Sequence, residues 1–430
     1  MKVKAVLACI CAAFALFGSA ALFADSVGTQ DDNGSKQAAL VDVERAAKAA
    51  LVDAERAAKA ALALHLAGIK DDEPALPRGL STQERLYWRL PSVIALALAP
   101  PPQPVRAPAE YEANDGLLLR WGSFNSVITE IALAVTTSGG YQGAPAPKVY
   151  LVVSSASQQS SAQTTLAAAG VVMARVQFVI APSNSVWMRD YGPRFVNSAG
   201  VRGLIDHVYN RPRPLDDAIP AAVSATFEAP NYALPLIHGG GNFHLFDDAQ
   251  AYMTQLVGNE NTGLSAEQIK TYFRDYQGLE LTITPVFPAS FDATGHIDMW
   301  MLPVANRRVI LSEYPNTGGV YSVPRQITED TAALMTSRGY QVLRTPGWQG
   351  TNGAHYTYAN SVVMNAKVLM CRFNGEDARN AQALSVFQQA FPTREIVTID
   401  CSNIIASAGA IHCIVMHVNT ALIAMTGFED

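Results

Sequence analysis

At 430 residues, 49% hydrophobic and 16% charged, the chain can bury one large core or two ordinary ones and has no disordered composition overall. Its net charge of −6 argues against nucleic acid as a partner and suits a cationic ligand without requiring one.

The N-terminus opens with Lys2 and Lys4, an apolar run from Ala5 to Phe17, and then Gly18-Ser19-Ala20-Ala21 and Phe23-Ala24-Asp25. Positive, apolar, then small is the pattern of a secretory signal peptide, expected over residues 1–24. A membrane span needs roughly 20 continuous apolar residues, and Gly18 and Ser19 interrupt too early for that. A secreted or periplasmic protein with no membrane association after cleavage is therefore expected. Cleavage leaves Cys371, Cys401 and Cys413 in an oxidising compartment. Three is an odd number, so at least one thiol stays free or pairs between chains. Cys371 and Cys401 could pair if the fold brings them together, which would single out Cys413.

Residues 25 to about 36 are small and polar, and disorder is expected there. Ala38–Lys48 and Ala49–Lys59 are the same eleven residues except for Val43 against Ala54, and a third copy fades after Ala60. An eleven-residue period is three helical turns, so Leu40, Leu51 and Leu62 stack on one face of a predicted helix that carries no chemistry. Pro74 and Pro77 close this region, and Pro100-Pro101-Pro102-Gln103-Pro104 predicts an extended linker. Residues 25–104 are thus expected to be an appendage to a globular domain over 105–430.

In that domain apolar runs suited to buried strands alternate with helical patterns: 116–121, 128–135, 149–153, 161–170, 176–180, then again from 268–276 through 395–399. The alternation predicts a mixed α/β fold with strands of about five residues. Three stretches carry chemistry. Trp187-Met188-Arg189-Asp190-Tyr191-Gly192-Pro193 puts a carboxylate on a loop beside a large aromatic. Gly295-His296-Ile297-Asp298 predicts a strand on which His296 and Asp298 share one face, pairing a base with an acid. Gly409-Ala410-Ile411-His412-Cys413 leads into an apolar run, placing a thiol at the lip of a strand where it can be held from behind and open in front. Hard carboxylates beside a single thiolate match no common zinc set, so no metal is expected, and a cysteine nucleophile with a histidine acid/base needs no other cofactor. Two carboxylates can instead grip a planar guanidinium through paired charge-assisted bonds, whereas an oxyanion would need donors.

These motifs, in this order, resemble the Porphyromonas-type peptidylarginine deiminase and agmatine deiminase family. The resemblance implies a pentein α/β propeller, five ββαβ-like units about a pseudo-fivefold axis. It implies Cys413 as nucleophile, His296 as general acid/base, Asp190 and Asp298 as guanidinium-binding carboxylates, and Asn360 as a further active-site residue. Arg211 and Arg213, in Tyr209-Asn210-Arg211-Pro212-Arg213-Pro214, resemble the arginines that take a substrate's C-terminal carboxylate in the peptidylarginine branch, with Trp187 as another substrate contact. His238, in His238-Gly239-Gly240-Gly241-Asn242, stands where the agmatine branch would carry an acid. The expected activity is an exported deiminase converting peptidyl-arginine, C-terminal arginine above all, to citrulline and ammonia. The alternatives are an agmatine deiminase giving N-carbamoylputrescine, a free-arginine deiminase, a cysteine peptidase, or a pentein that binds without catalysis. The expected partner is an arginine-containing peptide or small guanidinium compound.

Overall fold

The computed structural model describes residues 75–87 and 99–420, which belong to one compact unit. The predicted signal peptide and the eleven-residue repeat with its helical extension lie outside the described residues.

Five small sheets make up the body. Each contains the same unit, an antiparallel strand pair, a helix, and a third strand parallel to the second. In one unit Arg194–Ser198 and Val201–Tyr209 pair, helix Ile219–Phe227 crosses over, and Asn231–His238 returns in parallel. The next uses His244–Leu245, Gln250–Thr254, helix Ala266–Gln277 and Glu280–Thr284. A third uses Met301–Ala305, Arg308–Glu313, helix Ser322–Ser337 and Gln341–Gln349. A fourth uses Val362–Met364, Lys367–Arg372, helix Asp377–Ala390 and Glu395–Asp400. The fifth joins the two ends of the domain. Its first strand is Val415–Asn419 and its second is Asn114–Arg120, followed by helix Asn125–Thr136 and Lys148–Val153.

Burial explains why these segments take these forms. Leu117, Leu118 and Leu119 are all fully buried, so this strand has apolar contacts on both faces. The helix beside it buries Val127, Ile128, Ile131, Ala132 and Val135, a stripe at helical spacing. Helix Ala266–Gln277 begins in a capping box between Ser265 and Gln268. Cys371, on Lys367–Arg372, is disulfide-bonded to Cys401, just past the neighbouring parallel strand. Cys413 is the free cysteine among the described residues.

The region before residue 105 departs from the expected appendage. Pro102 and Pro104 are pinned along a sheet edge, where their carbonyls accept from Ser198 Oγ at 2.6 Å and Ala199 N–H at 2.8 Å. Residues 75–87 pack against the body, with Arg78 wholly buried and Glu84 6% exposed. The reason is local and specific: this stretch carries a charged group that the body is built to receive.

Candidate active site

Every unit contributes to the site from the same place, the turn just before its first strand. Short helix Met188–Tyr191, before Arg194–Ser198, carries Asp190. The turn Gly240–Asn242 precedes His244–Leu245. His296 and the turn Ile297–Met299 precede Met301–Ala305. Asn360 stands two residues before Val362–Met364, and the turn His412–Ile414, with Cys413, runs directly into Val415–Asn419. The strand expected to hold His296 and Asp298 is therefore a 3₁₀ turn. The two side chains still converge, because the turn winds around what they bind.

What they bind is the guanidinium of Arg78. Its Nε and Nη2 donate to Asp190 Oδ2 and Oδ1 at 2.9 Å each. Its Nη1 and Nη2 donate to Asp298 Oδ1 and Oδ2 at 3.0 and 2.9 Å. Two side-on carboxylates thus take all three nitrogens, the geometry that pairs a planar fork with an acid on each edge. His296 Nδ1 lies 2.8 Å from Nη2, so this nitrogen has three partners for its two hydrogens. Burial pushes the carboxyl of Asp190 upward, but the guanidinium and His296 outweigh it and hold it well below the usual carboxylate range. For Asp298, burial is outweighed in the same way by Arg78 and His412.

Cys413 is fully buried. Its thiol donates to Asn360 Oδ1 at 3.2 Å, and Sγ accepts from the Ala410 N–H at 3.3 Å. Asn360 in turn donates to the Asp298 carbonyl and accepts from the His412 N–H, tying the turns of two units together. Burial, then Asp298 and Asp190, push the thiol well above its ordinary range, and the Arg78 guanidinium opposes them. Glycine makes the close approach possible. A Cβ on Gly409 would stand 3.0 Å from Arg78 Cδ and 3.1 Å from Cys413 Sγ, so both groups press on one point.

A buried chain of charges supports the pocket from outside. A carboxylate faces each ring nitrogen of His412: Asp298 Oδ2 at 2.9 Å from Nδ1 and Glu110 Oε2 at 2.8 Å from Nε2. Arg189 Nη1 donates to Glu110 Oε1 at 2.5 Å. Glu110, His244 and His412 offer ligand atoms within 4.8 Å of one another. The Arg189 cation already compensates Glu110, which argues against a second positive charge there.

The fold thus brings Cys413, His296, Asp298, Asp190 and Asn360 together. Trp187, Arg211 and Arg213 lie around the same pocket in an unexpected role. Trp187 Nε1 donates to the Leu76 carbonyl at 2.8 Å and Arg211 Nε to the Arg78 carbonyl at 3.3 Å. Arg213 Nη2 donates to the Pro77 and Gly79 carbonyls at 2.7 and 3.0 Å. Arg213 also pairs with Glu84 and is 1% exposed. The two arginines of the expected clamp on a terminal carboxylate here donate to three consecutive internal carbonyls, and Trp187 takes the fourth. His238 stacks on His207 with centroids 4.0 Å apart, and burial keeps its basicity low. Sequence reasoning misses Arg78, Glu110 and His412, and it also misses Gly241. A Cβ at Gly241 would stand 1.8 Å from Arg78 Nη2 and 2.7 Å from Asp190 Oδ1. Gly241→Ala should therefore fill the guanidinium slot and lower kcat/KM by at least about 100-fold. A steady-state assay checks this, with an unchanged melting transition showing that the fold survives.

A pocket that holds a guanidinium between two carboxylates, with a thiol and an imidazole beside it, belongs to the hydrolases that act on the C–N bonds of linear amidines. The chain belongs to the Porphyromonas-type peptidyl-arginine deiminase family, whose profile matches residues 106–418. A Streptomyces avermitilis protein named provisionally as an agmatine deiminase is 27% identical over 54% of this chain and 73% of its own length. Among solved structures, the agmatine deiminase of Enterococcus faecalis shares the fold with a TM-score of 0.64 at 19% identity, over 74% of this chain and 96% of that one. A Porphyromonas gingivalis protein named provisionally as an arginine deiminase gives 0.63 at 20% identity, over 74% and 99%.

Proposed function

We propose that this chain is a peptidyl-arginine deiminase, hydrolysing an arginine side chain within a peptide to citrulline and ammonia. One observation carries the substrate class: an arginine with main chain on both sides occupies the pocket, and four consecutive carbonyls of its segment find donors. Main-chain recognition of that kind suits a peptide and has nothing to grip in a small diamine derivative.

The proposed chemistry follows from the geometry. Cys413 Sγ attacks Cζ while Asp190 and Asp298 hold the plane and charge of the guanidinium. As Cζ becomes tetrahedral, Nη2 gains a lone pair, and His296 Nδ1 stands where it can protonate it for departure as ammonia. His296 then takes a proton from water, whose oxygen attacks the thiouronium carbon and frees the thiol. The bound guanidinium is itself the positive charge that favours the Cys413 thiolate. We also propose an exported protein, for which the Cys371–Cys401 disulfide is suited.

Agmatine is the second reading, supported by the names of the relatives. The test compares peptides with internal and C-terminal arginine, agmatine and free arginine. Peptides should give the highest kcat/KM. Arg211→Ala should remove about 1.5–3 kcal/mol of that preference, roughly 10- to 150-fold, and should not lower agmatine turnover. Agmatine outperforming both peptides, with Arg211→Ala indifferent, would transfer the assignment to the second reading.

A further inference from the structure

The geometry points to Arg78 as a modification site of this enzyme's own making: the chain deiminates Arg78 in its own pocket, and this single turnover opens the site. The inference rests on the deiminase reading above.

Arg78 is held as a substrate, not as a surface contact. Its guanidinium nitrogens all meet the two carboxylates, and Cys413 and the Arg78 side chain converge over Gly409. Its main chain is fixed on both sides. Arg78 N–H donates to the Ser407 carbonyl at 3.0 Å, and the carbonyls of residues 76–79 take Trp187, Arg213 and Arg211. Downstream, a reciprocal cap between Ser81 and Glu84 starts helix Thr82–Tyr87 and presents Glu84 to Arg213. A strap tethered to the body competes with free substrate at an effective concentration on the order of mM. Against an affinity on the order of 0.1 mM, about one site in ten would stand open.

The reaction balances without any further reagent. The Cys413 thiol gives up its proton, which His296 takes, and Sγ bonds to Cζ of Arg78; His296 passes that proton to Nη2, the Cζ–Nη2 bond breaks and Nη2 leaves as ammonia. Water then bonds to Cζ through its oxygen, one of its protons returns through His296 to Sγ as the C–S bond breaks, and the other leaves with ammonia as ammonium. Overall, guanidinium plus water gives a ureido group plus ammonium. The residue left at position 78 is neutral, and it can no longer form ion pairs with the two buried carboxylates, each of which would lose the guanidinium's charge. The strap is then held only by its main chain and Glu84, and external substrate displaces it.

The experiment uses the full chain and needs no foreign ligand. The peptide containing residue 78 is examined by mass spectrometry in the parent and in Cys413→Ala. The parent should carry citrulline at 78, at a fraction independent of protein concentration. Cys413→Ala should carry arginine, and should keep it when mixed with active Arg78→Gln protein. Arg78→Gln, neutral like the product, should turn over external peptide or agmatine without a lag and about tenfold faster initially than freshly made parent. Intact arginine at 78 in parent enzyme that is turning over external substrate would overturn the proposal and leave the deiminase reading standing. A parent that is inactive with intact Arg78, beside an active Arg78→Gln, would also overturn it. Failure of every protein on every guanidinium substrate would end both.

Discussion

Cys413→Ala should abolish ureido formation from any substrate while the melting transition stays near that of the parent, because the change removes only a small thiol from a fully buried position. Cys413→Ser should be nearly as inactive, since a hydroxyl ionises far less readily than a thiol. Citrulline release by Cys413→Ala at the parent rate would rule out covalent catalysis at this residue. The pH profile offers a finer check. With no guanidinium bound, burial and two carboxylates oppose thiolate formation, and the arriving guanidinium favours it. The acid limb of kcat, which reports the bound state, should therefore lie at lower pH than the acid limb of kcat/KM, which reports the free enzyme. Arg78→Gln is the protein to measure, since its pocket starts without a guanidinium. Coincident limbs would mean that substrate charge does not assist the thiol.

The second large loss is expected at the carboxylates. Asp190→Asn and Asp298→Asn each exchange charge-assisted bonds for neutral ones, and each should cost about 2–4 kcal/mol of transition-state stabilisation. That is roughly 30- to 900-fold in kcat/KM at about 1.36 kcal/mol per tenfold. Asp298→Asn should be the worse of the two, because Asp298 also faces His412 and so connects the pocket to Glu110. Rates within about threefold of the parent in both variants would remove the carboxylates from the reaction.

The pocket's inward-facing acids, base and thiol are visible in sequence because each sits in a short, chemically distinctive motif. Those motifs are enough to name Asp190, His296, Asp298 and Cys413, with Asn360 added only by the family resemblance, although the strand expected for His296 and Asp298 is a turn. Much of the strand–helix alternation is also visible. The strands Val201–Tyr209 and Asn231–His238 are not, since Gly203, Asp206 and His207 interrupt the first and Pro235 the second. Pro235 has no N–H to donate, and the ladder shifts register opposite it, between His207 and Val208. Arg78 escapes for a different reason. Its partners lie 112 to 220 positions away, and flanking prolines make its segment look like spacer. The Ser81-Thr82-Gln83-Glu84 cap is the local sign that an ordered element begins there.

The pairing of Val415–Asn419 with Asn114–Arg120 gives this enzyme a clock. Chains are made from the N-terminus, and the thiol emerges after every other residue of the pocket. Asp190, His296, Asp298 and Arg78 are all synthesised before Cys413, and seating Cys413 requires the last strand among the described residues to pair with Asn114–Arg120. A growing chain therefore has no means of attacking the arginines of its neighbours, and the first arginine within reach of the finished nucleophile is its own.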